Sequence, residues 1–266
     1  MKNKNDIVQC IFSIAREAGA EILEIYRSAG IAIDHKKDGS PYTIADKRSH
    51  QIISTRLKQY FPSYPVISEE SVRVPYAERK DWKRFWLVDP IDGTRGFVNK
   101  TDEFTINIAL IDSGVPVLGI THLPVQNVTY FAYNRKSYRS VGNSIHNANI
   151  IKVRNANLSE ITVVSSRDHA GPKVKALLER LPGATTKSMG SSLKFCLVAD
   201  GSADLYYRDV PTMEWDTAAG QAIVEAAGGA VFTEEGQPLQ YNKKSLQNSP
   251  LLIVGDKSIN WKKWVE

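Results

Sequence analysis

Two acidic residues follow a short apolar run in the first half of the chain. Asp89 and Asp92 come after Phe85–Val88, which reads as a buried strand, and the Asp-Pro and Asp-Gly turn signals should end that strand near Asp89. Gly93 and Thr94 then offer backbone amides and a hydroxyl close to both carboxylates. Carboxylate oxygens bind hard cations such as Mg²⁺, and free amides at a turn leading into a helix bind phosphate. The stretch therefore predicts metal-assisted phosphate chemistry, with a polar turn after a core strand as the simpler alternative.

Further acidic residues lie next to predicted strands or helices. Glu69 and Glu70 follow a short strand at Pro65–Ile67, where they are either solvated or able to add a third carboxylate to the first two. Asp46 lies in the first turn of a predicted helix, where an acidic side chain also suits the helix dipole. Asp216 lies where a later helix begins, and as an N-cap it would accept hydrogen bonds from that helix. Each position therefore has a structural explanation as well as a chemical one.

The size and composition of the chain are those of an ordinary globular protein. Its 266 residues can form one large domain or two smaller ones. Hydrophobic residues make up 42% and charged residues 24%, and no apolar run reaches the length of a membrane span. The N-terminal residues lack the pattern of a signal peptide. We therefore expect a cytoplasmic protein with no integral membrane segment.

The cysteine and charge patterns argue against two classes of function. Cys10 and Cys196 lie inside apolar helical patterns without the spacing of a metal site, so we expect two reduced thiols in the core. The formal net charge is +5, and the Lys and Arg residues are scattered rather than clustered as on a nucleic-acid surface. A small anionic substrate accounts for this mild excess equally well. We therefore expect no cysteine metal site and no nucleic-acid partner.

The N-terminal half combines helices with an antiparallel pattern of strands. Apolar residues at helical spacing predict a helix over Asp6–Arg27, ended by Gly30, and another over Thr43–Tyr60. The second helix should turn these apolar residues inward: Ile44, Ile52, Ile53 and Leu57. Lys36–Pro41 and Val72–Lys83 read as loops. Strands are predicted at residues 65–67, 85–88, 104–111, 115–122 and 128–133.

The C-terminal half alternates strands with helices, which indicates a layered α/β arrangement. Its predicted strands cover 161–165, 203–207, 230–232 and 251–254, and its predicted helices cover 172–181, 191–199 and 217–227. A polar, asparagine-rich stretch at Gly142–Asn157 is the expected boundary between the halves. We therefore predict an α+β domain over residues 1–157, with most of the acidic residues named above, and an α/β domain over 158–266, with Asp216 and the pocket for the expected small anionic substrate.

The acidic motifs occur in an order that resembles a known superfamily. Glu69-Glu70-Ser71, Trp86–Thr94 and Glu214–Gly220 follow one another as in the inositol-monophosphatase-like superfamily of Mg²⁺-dependent, lithium-sensitive phosphatases. The resemblance extends over nearly the whole chain. It implies a layered αβαβα sandwich, the fold of the inositol monophosphatase and fructose-1,6-bisphosphatase phosphatases.

A finer resemblance depends on other stretches. Glu103–Ile111, Gly190–Ala199 and Pro211–Asp216 are similar to the bacterial 3′(2′),5′-bisphosphate nucleotidases of the CysQ type. This resemblance implies hydrolysis of 3′-phosphoadenosine 5′-phosphate to AMP and phosphate, which recycles the nucleotide left by sulfate assimilation. It also implies a cytoplasmic location, either free or peripheral on the cytoplasmic side of the inner membrane. A monomer and a homodimer both stay open.

The resemblance also assigns roles to individual residues. Two or three Mg²⁺ ions would be held by Glu69, Asp89, the backbone carbonyl of Ile91, Asp92 and Asp216, with Asp89 bridging two of them. The ions would polarise the phosphate and activate a water, and Li⁺ would inhibit. The catalytic residues would be Asp46, Thr94 and Glu69, with Asp46 and Thr94 orienting and deprotonating that water. Substrate would contact Asp92, Gly93, Thr94, Ser191, Lys194, Arg208 and Asp216.

Three alternatives compete with this interpretation. Inositol-1-phosphate is the other substrate that the superfamily suggests. A phosphatase of the haloacid-dehalogenase type needs one residue between its aspartates, but two residues separate Asp89 from Asp92. A non-catalytic nucleotide-binding regulator is disfavoured because all the expected catalytic and ligand side chains are present: Asp46, Glu69, Asp89, Asp92, Thr94 and Asp216.

Overall fold

A computed structural model of the chain describes residues 4–28, 33–35, 39, 41–166, 172–181 and 183–265. Gly30 and the predicted loop residues 36–38 and 40 lie outside these ranges. The described helices are α1 Lys4–Arg27, α2 Ile44–Tyr60, α3 Tyr76–Arg79, α4 Thr94–Val98, α5 Pro172–Arg180, α6 Leu193–Ala199, α7 Glu214–Ala226 and α8 Lys262–Val265, with a 3₁₀ turn at Ile145–Asn147.

The described strands follow the same chain order. They are β1 Ile33–His35, β2 Pro41–Thr43, β3 Val66–Ser68, β4 Arg84–Asp92, β5 Thr105–Asp112, β6 Val115–Leu123, β7 Val128–Tyr133, β8 Lys136–Val141, β9 Asn149–Ile151, β10 Thr162–Ser166, β11 Thr185–Met189, β12 Leu205–Arg208, β13 Thr212–Met213, β14 Ala230–Thr233, β15 Gln247–Asn248 and β16 Leu251–Val254.

Most of these strands belong to two sheets. The first has seven strands in the order β3-β4-β5-β6-β7-β8-β9, antiparallel except for the parallel pair β3 and β4. The second has five strands in the order β11-β10-β12-β16-β14 and is mixed. The first sheet is built from residues 66–151 and the second from 162–254. The chain therefore changes sheets near the expected boundary, and the division into two domains stays a prediction.

Helices cover both faces of both sheets. α1 and α2 pack on one face of the seven-stranded sheet, and α6 and α7 fill the space between its other face and the five-stranded sheet. α5 and α8 lie against the outer face of the five-stranded sheet. The order helix, sheet, helix, sheet, helix confirms the predicted αβαβα sandwich.

Alternating side chains along the central strands produce these layers. Trp86 and Val88 pack into the cluster that includes α1, whereas Phe85 and Leu87 pack into the cluster that includes α7. A Cβ added at Gly119 of β6 would lie 2.5 Å from a backbone carbonyl oxygen of α7. The glycine therefore allows the close approach that brings the start of α7 near the strand ends.

The strand that carries the first two acids is longer than predicted. β4 continues past Asp89 to Asp92, and its register with β5 shifts between these residues. Proline has no N–H to donate, so a bulge accommodates Pro90 within the sheet. Ser49 of α2 donates a 2.8 Å hydrogen bond to the carbonyl of Pro90 and ties the bulge to the helix. The prediction that the strand ends near Asp89 is therefore wrong.

Two other predictions of local structure are wrong. Ile44 is 46% exposed rather than inward, because it is the first residue of its helix. The segment Val72–Lys83 contains the short helix α3 instead of being only a loop. Within it, Arg79 is buried and donates hydrogen bonds to the Asn242 side chain at 2.7 Å and the Lys244 carbonyl at 3.0 Å. Part of the segment is therefore anchored to the C-terminal half.

Two further expectations concern the cysteine thiols and membrane-spanning helices. Neither Cys10 nor Cys196, both among the described residues, forms a disulfide. Cys196 is buried as predicted, whereas Cys10 is partly exposed, so the expectation of a core thiol is confirmed only for Cys196. Within the described ranges, no helix combines the length and the apolar character needed to cross a membrane.

Candidate active site

Three acidic residues from separate elements meet at one end of the seven-stranded sheet. Glu69 follows β3, Asp89 lies in β4, and Asp216 lies in the first turn of α7. One carboxylate oxygen of each can be chosen so that all three lie within 4.8 Å of one another. Asp89 is 1% exposed, so the centre of this acidic triad is shielded from water. The geometry brings together residues that lie far apart in the sequence.

The electrostatics of the triad favour a bound cation. Burial raises the pKa of Asp89 well above its usual range, and the charges of Glu69, Asp92 and Asp216 raise it further. Burial likewise raises the pKa of Asp216, with further increases from the charges of Asp92 and Glu69. Ionised carboxylates at this spacing repel one another unless a cation neutralises them. Oxygen-only donors suit Mg²⁺, so the residues present fit the expected metal.

A second acidic group lies beside the triad. Asp46, which is 1% exposed, uses Oδ2 to accept hydrogen bonds from the backbone N–H and the hydroxyl of Thr43, both at 2.8 Å. Its Oδ1 is 3.1 Å from the hydroxyl of Thr94. The Thr43 contacts form a capping box at the start of α2. The cap therefore fixes one oxygen of Asp46 and leaves the other beside Thr94.

Asp216 is held in a similar way, which corrects its predicted role as an N-cap. α7 begins at Glu214, and the N-cap position belongs to Met213. Asp216 is the third residue of the helix, and its Oδ2 accepts a 2.7 Å hydrogen bond from the Met213 backbone N–H. The predicted helix start at Thr217 was too late because the motif itself forms the first turn. One oxygen of Asp216 is thus used by the helix, and the carboxylate still belongs to the triad.

The bulge of β4 presents the remaining predicted ligands. The Asp89 side chain accepts a 3.1 Å hydrogen bond from the Ile91 backbone N–H, which fixes one of its oxygens. The Ile91 carbonyl lies 3.2 Å from the Thr94 hydroxyl, and its second lone pair is compatible with a cation. Asp92 accepts a hydrogen bond from the hydroxyl of Ser192. Ile91 and Asp92 therefore lie beside the triad, although neither belongs to it.

Glu69, Asp92, Thr94 and Asp216 line a cleft of about 280 Å³, whereas the buried Asp46 and Asp89 are not among its lining residues. Its lining includes every residue predicted to contact substrate: Asp92, Gly93, Thr94, Ser191, Lys194, Arg208 and Asp216. Gly93 has φ of +91°, and a Cβ there would lie 2.7 Å from the Glu103 carbonyl oxygen. Both the backbone conformation and the space require glycine at this position.

Three basic residues line the cleft, Arg95, Lys194 and Arg208, and the last two differ in their hydrogen bonds. Lys194 is 5% exposed, and its ammonium donates to the Ser191 carbonyl at 2.6 Å and the Met189 carbonyl at 3.3 Å. Its ammonium is therefore held by the chain rather than solvated on the helix surface. Arg208 follows in β12, and its buried Nε has no hydrogen-bond partner in the part of the chain that the structure describes. A buried donor without a partner is costly.

Some residues of the site were not found from the sequence. Three such residues form hydrogen bonds in the site. Thr43 donates to Asp46, Ser192 donates to Asp92, and Asn107 donates to Ser192. The available signal was Asn107 itself, a lone amide inside the apolar run of β5, because a buried polar side chain requires partners. Thr43 and Ser192 are of residue types common at turns and caps, so their sequence positions alone carry little signal.

Comparisons with known proteins agree with this geometry. Residues 3–260 match the inositol monophosphatase family. The chain is 43% identical over 235 residues to the 3′(2′),5′-bisphosphate nucleotidase CysQ of Escherichia coli strain K12, covering 88% of this chain and 93% of that protein. It is 32% identical over 255 residues to CysQ of Haemophilus influenzae, covering 95% and 94% respectively.

A solved structure extends the comparison to three dimensions. The crystal structure of CysQ from Bacteroides thetaiotaomicron, described as a bacterial member of the inositol monophosphatase family, superposes with a TM-score of 0.82 at 36% identity. The match covers 94% of this chain and 97% of the other. The resemblance to the superfamily and the finer resemblance to the CysQ-type nucleotidases are both confirmed. The chain belongs to the inositol monophosphatase family.

Proposed function

We propose that the chain is a Mg²⁺-dependent phosphatase that converts 3′-phosphoadenosine 5′-phosphate to AMP and phosphate. The observation that carries the proposal is one cleft lined by Glu69 and Asp216 of the acidic triad, by Thr94 of the Asp46–Thr94 pair, and by basic side chains. The relatives named 3′(2′),5′-bisphosphate nucleotidase support the choice of substrate. The role that follows is removal of a bisphosphorylated nucleotide formed in sulfur metabolism. A cytoplasmic location stays a prediction, and the oligomeric state stays open.

The acidic residues would hold two or three cations. Glu69, Asp89 and Asp216 supply the clustered oxygens, and Asp92 with the Ile91 carbonyl lies beside them. Bound Mg²⁺ would polarise the scissile phosphate and favour ionisation of the attacking water. Li⁺ is expected to inhibit, as the family resemblance implies.

The Asp46–Thr94 pair would act as the general base that accepts a proton from the attacking water. Thr94 Oγ1 lies 3.1 Å from Asp46 Oδ1, so the threonine can donate its proton to the carboxylate and accept one from water. The orientation of Asp46 is fixed because Thr43 donates two hydrogen bonds to its other carboxylate oxygen, Oδ2. The pair thus provides a base whose orientation is fixed by hydrogen bonds.

The second phosphate of the substrate would be recognised at the basic side of the cleft. Arg208 lines this side of the cleft, and phosphate oxygens accept hydrogen bonds from guanidinium groups strongly. Lys194 and Ser191 line the same cleft and can add a charge and a hydroxyl. Inositol-1-phosphate has no second phosphate for these groups to bind. This favours the bisphosphate over inositol-1-phosphate.

Lys194→Met tests whether Lys194 binds the second phosphate of the substrate. We expect the KM for 3′-phosphoadenosine 5′-phosphate to rise about 10- to 100-fold, because a hydrogen bond to a charged group contributes about 1.5–3 kcal/mol. Hydrolysis of 3′-AMP, which lacks the second phosphate, should change much less. Lys187→Met, which alters an exposed lysine bonded to the Ser202 carbonyl, is the matched control. Equal losses on both substrates would argue against the assignment of Lys194.

The choice of substrate is tested by comparing two phosphate esters under one condition. Purified protein with Mg²⁺ is given 3′-phosphoadenosine 5′-phosphate or inositol-1-phosphate, and kcat/KM is measured for each. The proposal predicts a clear preference for the nucleotide. A preference for inositol-1-phosphate would keep the mechanism and overturn the substrate.

A further inference from the structure

A line of buried hydrogen bonds runs from the middle of the seven-stranded sheet to the acidic site. The hydroxyl of Thr121 in β6 donates to Asn107 Oδ1 at 2.9 Å, and Asn107 Nδ2 donates to Ser192 Oγ at 3.0 Å. Ser192 in turn bonds to Asp92 Oδ2 and lies 2.9 Å from the carbonyl oxygen of Asp216. Thr121, Asn107 and Ser192 are 0%, 1% and 3% exposed. Water therefore does not compete for these bonds.

The hydrogen bonds in this line all run in the same direction, from donor to acceptor. Because Thr121 donates to the amide oxygen of Asn107, the amide nitrogen must face Ser192. The serine oxygen then accepts from this nitrogen, and its own single proton is directed to the acceptors on the far side. Both acceptors belong to predicted metal ligands: the side chain of Asp92 and the backbone of Asp216. Each donor in the line thus points towards the acidic site.

Ser192 also contacts residues from two different layers of the sandwich. Asp92 ends β4 of the seven-stranded sheet, whereas Asp216 lies in α7 between the sheets. Ser192 immediately precedes α6, which packs against α7 and the five-stranded sheet. A single hydroxyl therefore contacts two candidate ligands from different layers. A change in its position would alter the spacing between them.

We propose that Ser192, oriented by Asn107, is a positioning residue that sets Asp92 relative to Asp216 for cation binding. The hydroxyl holds Oδ2 of Asp92, so Oδ1 is assigned to the cation. Hydrogen-bond partners of metal ligands fix ligand orientation, and their loss typically lowers metal affinity about 10- to 100-fold. The inference rests on the proposed function because it requires a cation in the acidic site.

The test measures Mg²⁺ binding without substrate, by isothermal titration calorimetry. We expect Ser192→Ala to weaken Mg²⁺ binding about 10- to 100-fold. Ser140→Ala is the matched control, because Ser140 is also buried and donates a 2.7 Å hydrogen bond to a carbonyl, that of Ser144, away from the cleft. The control should bind Mg²⁺ like the unmodified protein.

A double-mutant cycle separates positioning from a general loss of stability. If Asn107 acts through Ser192, Asn107→Ala should weaken Mg²⁺ binding in the same direction, and the double variant should lose less than the sum of the two. Should Ser192→Ala fail to fold, Thr121→Val removes the first donor at nearly constant volume and should also weaken Mg²⁺ binding.

The outcomes separate this inference from the function on which it rests. If the unmodified protein binds Mg²⁺ and Ser192→Ala binds it equally well, the inference is overturned and the proposed function stands. If the unmodified protein binds no Mg²⁺, both are overturned. A loss of affinity shared by Ser140→Ala would overturn the inference by showing a general effect of losing a buried hydroxyl.

Discussion

Asp89→Asn is expected to lower kcat/KM by about 10³-fold or more while the protein stays folded. Asp89 is the buried member of the triad, and its carboxylate is the one that the resemblance assigns to bridging two ions. The substitution keeps the shape of the side chain and removes its charge. Metal ions contribute several kcal/mol to phosphoryl transfer, and each 1.36 kcal/mol corresponds to a tenfold change in rate. Steady-state kinetics with the nucleotide substrate would measure the loss.

The same substitution should stabilise the metal-free protein. Burial and neighbouring charges raise the pKa of Asp89, so the folded state binds its proton more tightly than the unfolded chain. The stability of the metal-free protein therefore falls as the pH rises above the unfolded pKa of about 3.9 towards the folded value. Asparagine carries no charge and avoids this penalty. In EDTA at neutral pH, we expect Asp89→Asn to have a higher Tm than the unmodified protein.

A surface substitution provides the control for both measurements. The Asp81 side chain is 86% exposed, so Asp81→Asn should leave the activity and the Tm nearly unchanged. Near-normal turnover by Asp89→Asn would refute its role as a metal ligand. A lower Tm for this variant in EDTA would show that the carboxylate is stabilising, contrary to the repulsion described for the triad.

Thr94→Val should lower kcat about 10²- to 10⁴-fold with little change in KM. The variant removes the hydroxyl that lies 3.1 Å from Asp46, and a positioned general base contributes an effect of about that size. Thr94→Ser keeps the hydroxyl and should retain most of the activity. A fall in kcat without a matching rise in KM indicates an interaction made in the transition state. A large KM effect with unchanged kcat would instead assign Thr94 to substrate binding.

The residue pattern predicted a site at Asp89 and Asp92 and allowed Glu69 to join it, whereas the place of Asp216 in that site was implied only by the family resemblance. Glu69 follows β3, Asp89 lies in β4, and Asp216 lies in the first turn of α7. These elements have strong apolar patterns, so the strands β5, β6 and β7 were also found close to their observed ends. The course of β4 past Pro90 could not be predicted, because it depends on pairing with β5 and on a hydrogen bond from Ser49.

Other features depend on contacts that no local pattern encodes. β8 and β11 were missed because both contain many polar residues, and β11 is an exposed edge strand stabilised by its pairing with β10. Asp216 was assigned to the N-cap because aspartate favours that position, whereas the helix begins two residues earlier. The contact of Ser192 with Asp92 joins residues 100 positions apart. Only the packed sandwich brings such pairs together.

The most direct test of the account measures the products formed from 3′-phosphoadenosine 5′-phosphate. Phosphate and AMP are quantified with Mg²⁺, after addition of EDTA, and after Mg²⁺ is restored in excess. The account predicts equal amounts of the two products with Mg²⁺, no turnover in EDTA and recovery on restoring the metal. Turnover that persists in EDTA, or no phosphate release with Mg²⁺, would contradict it.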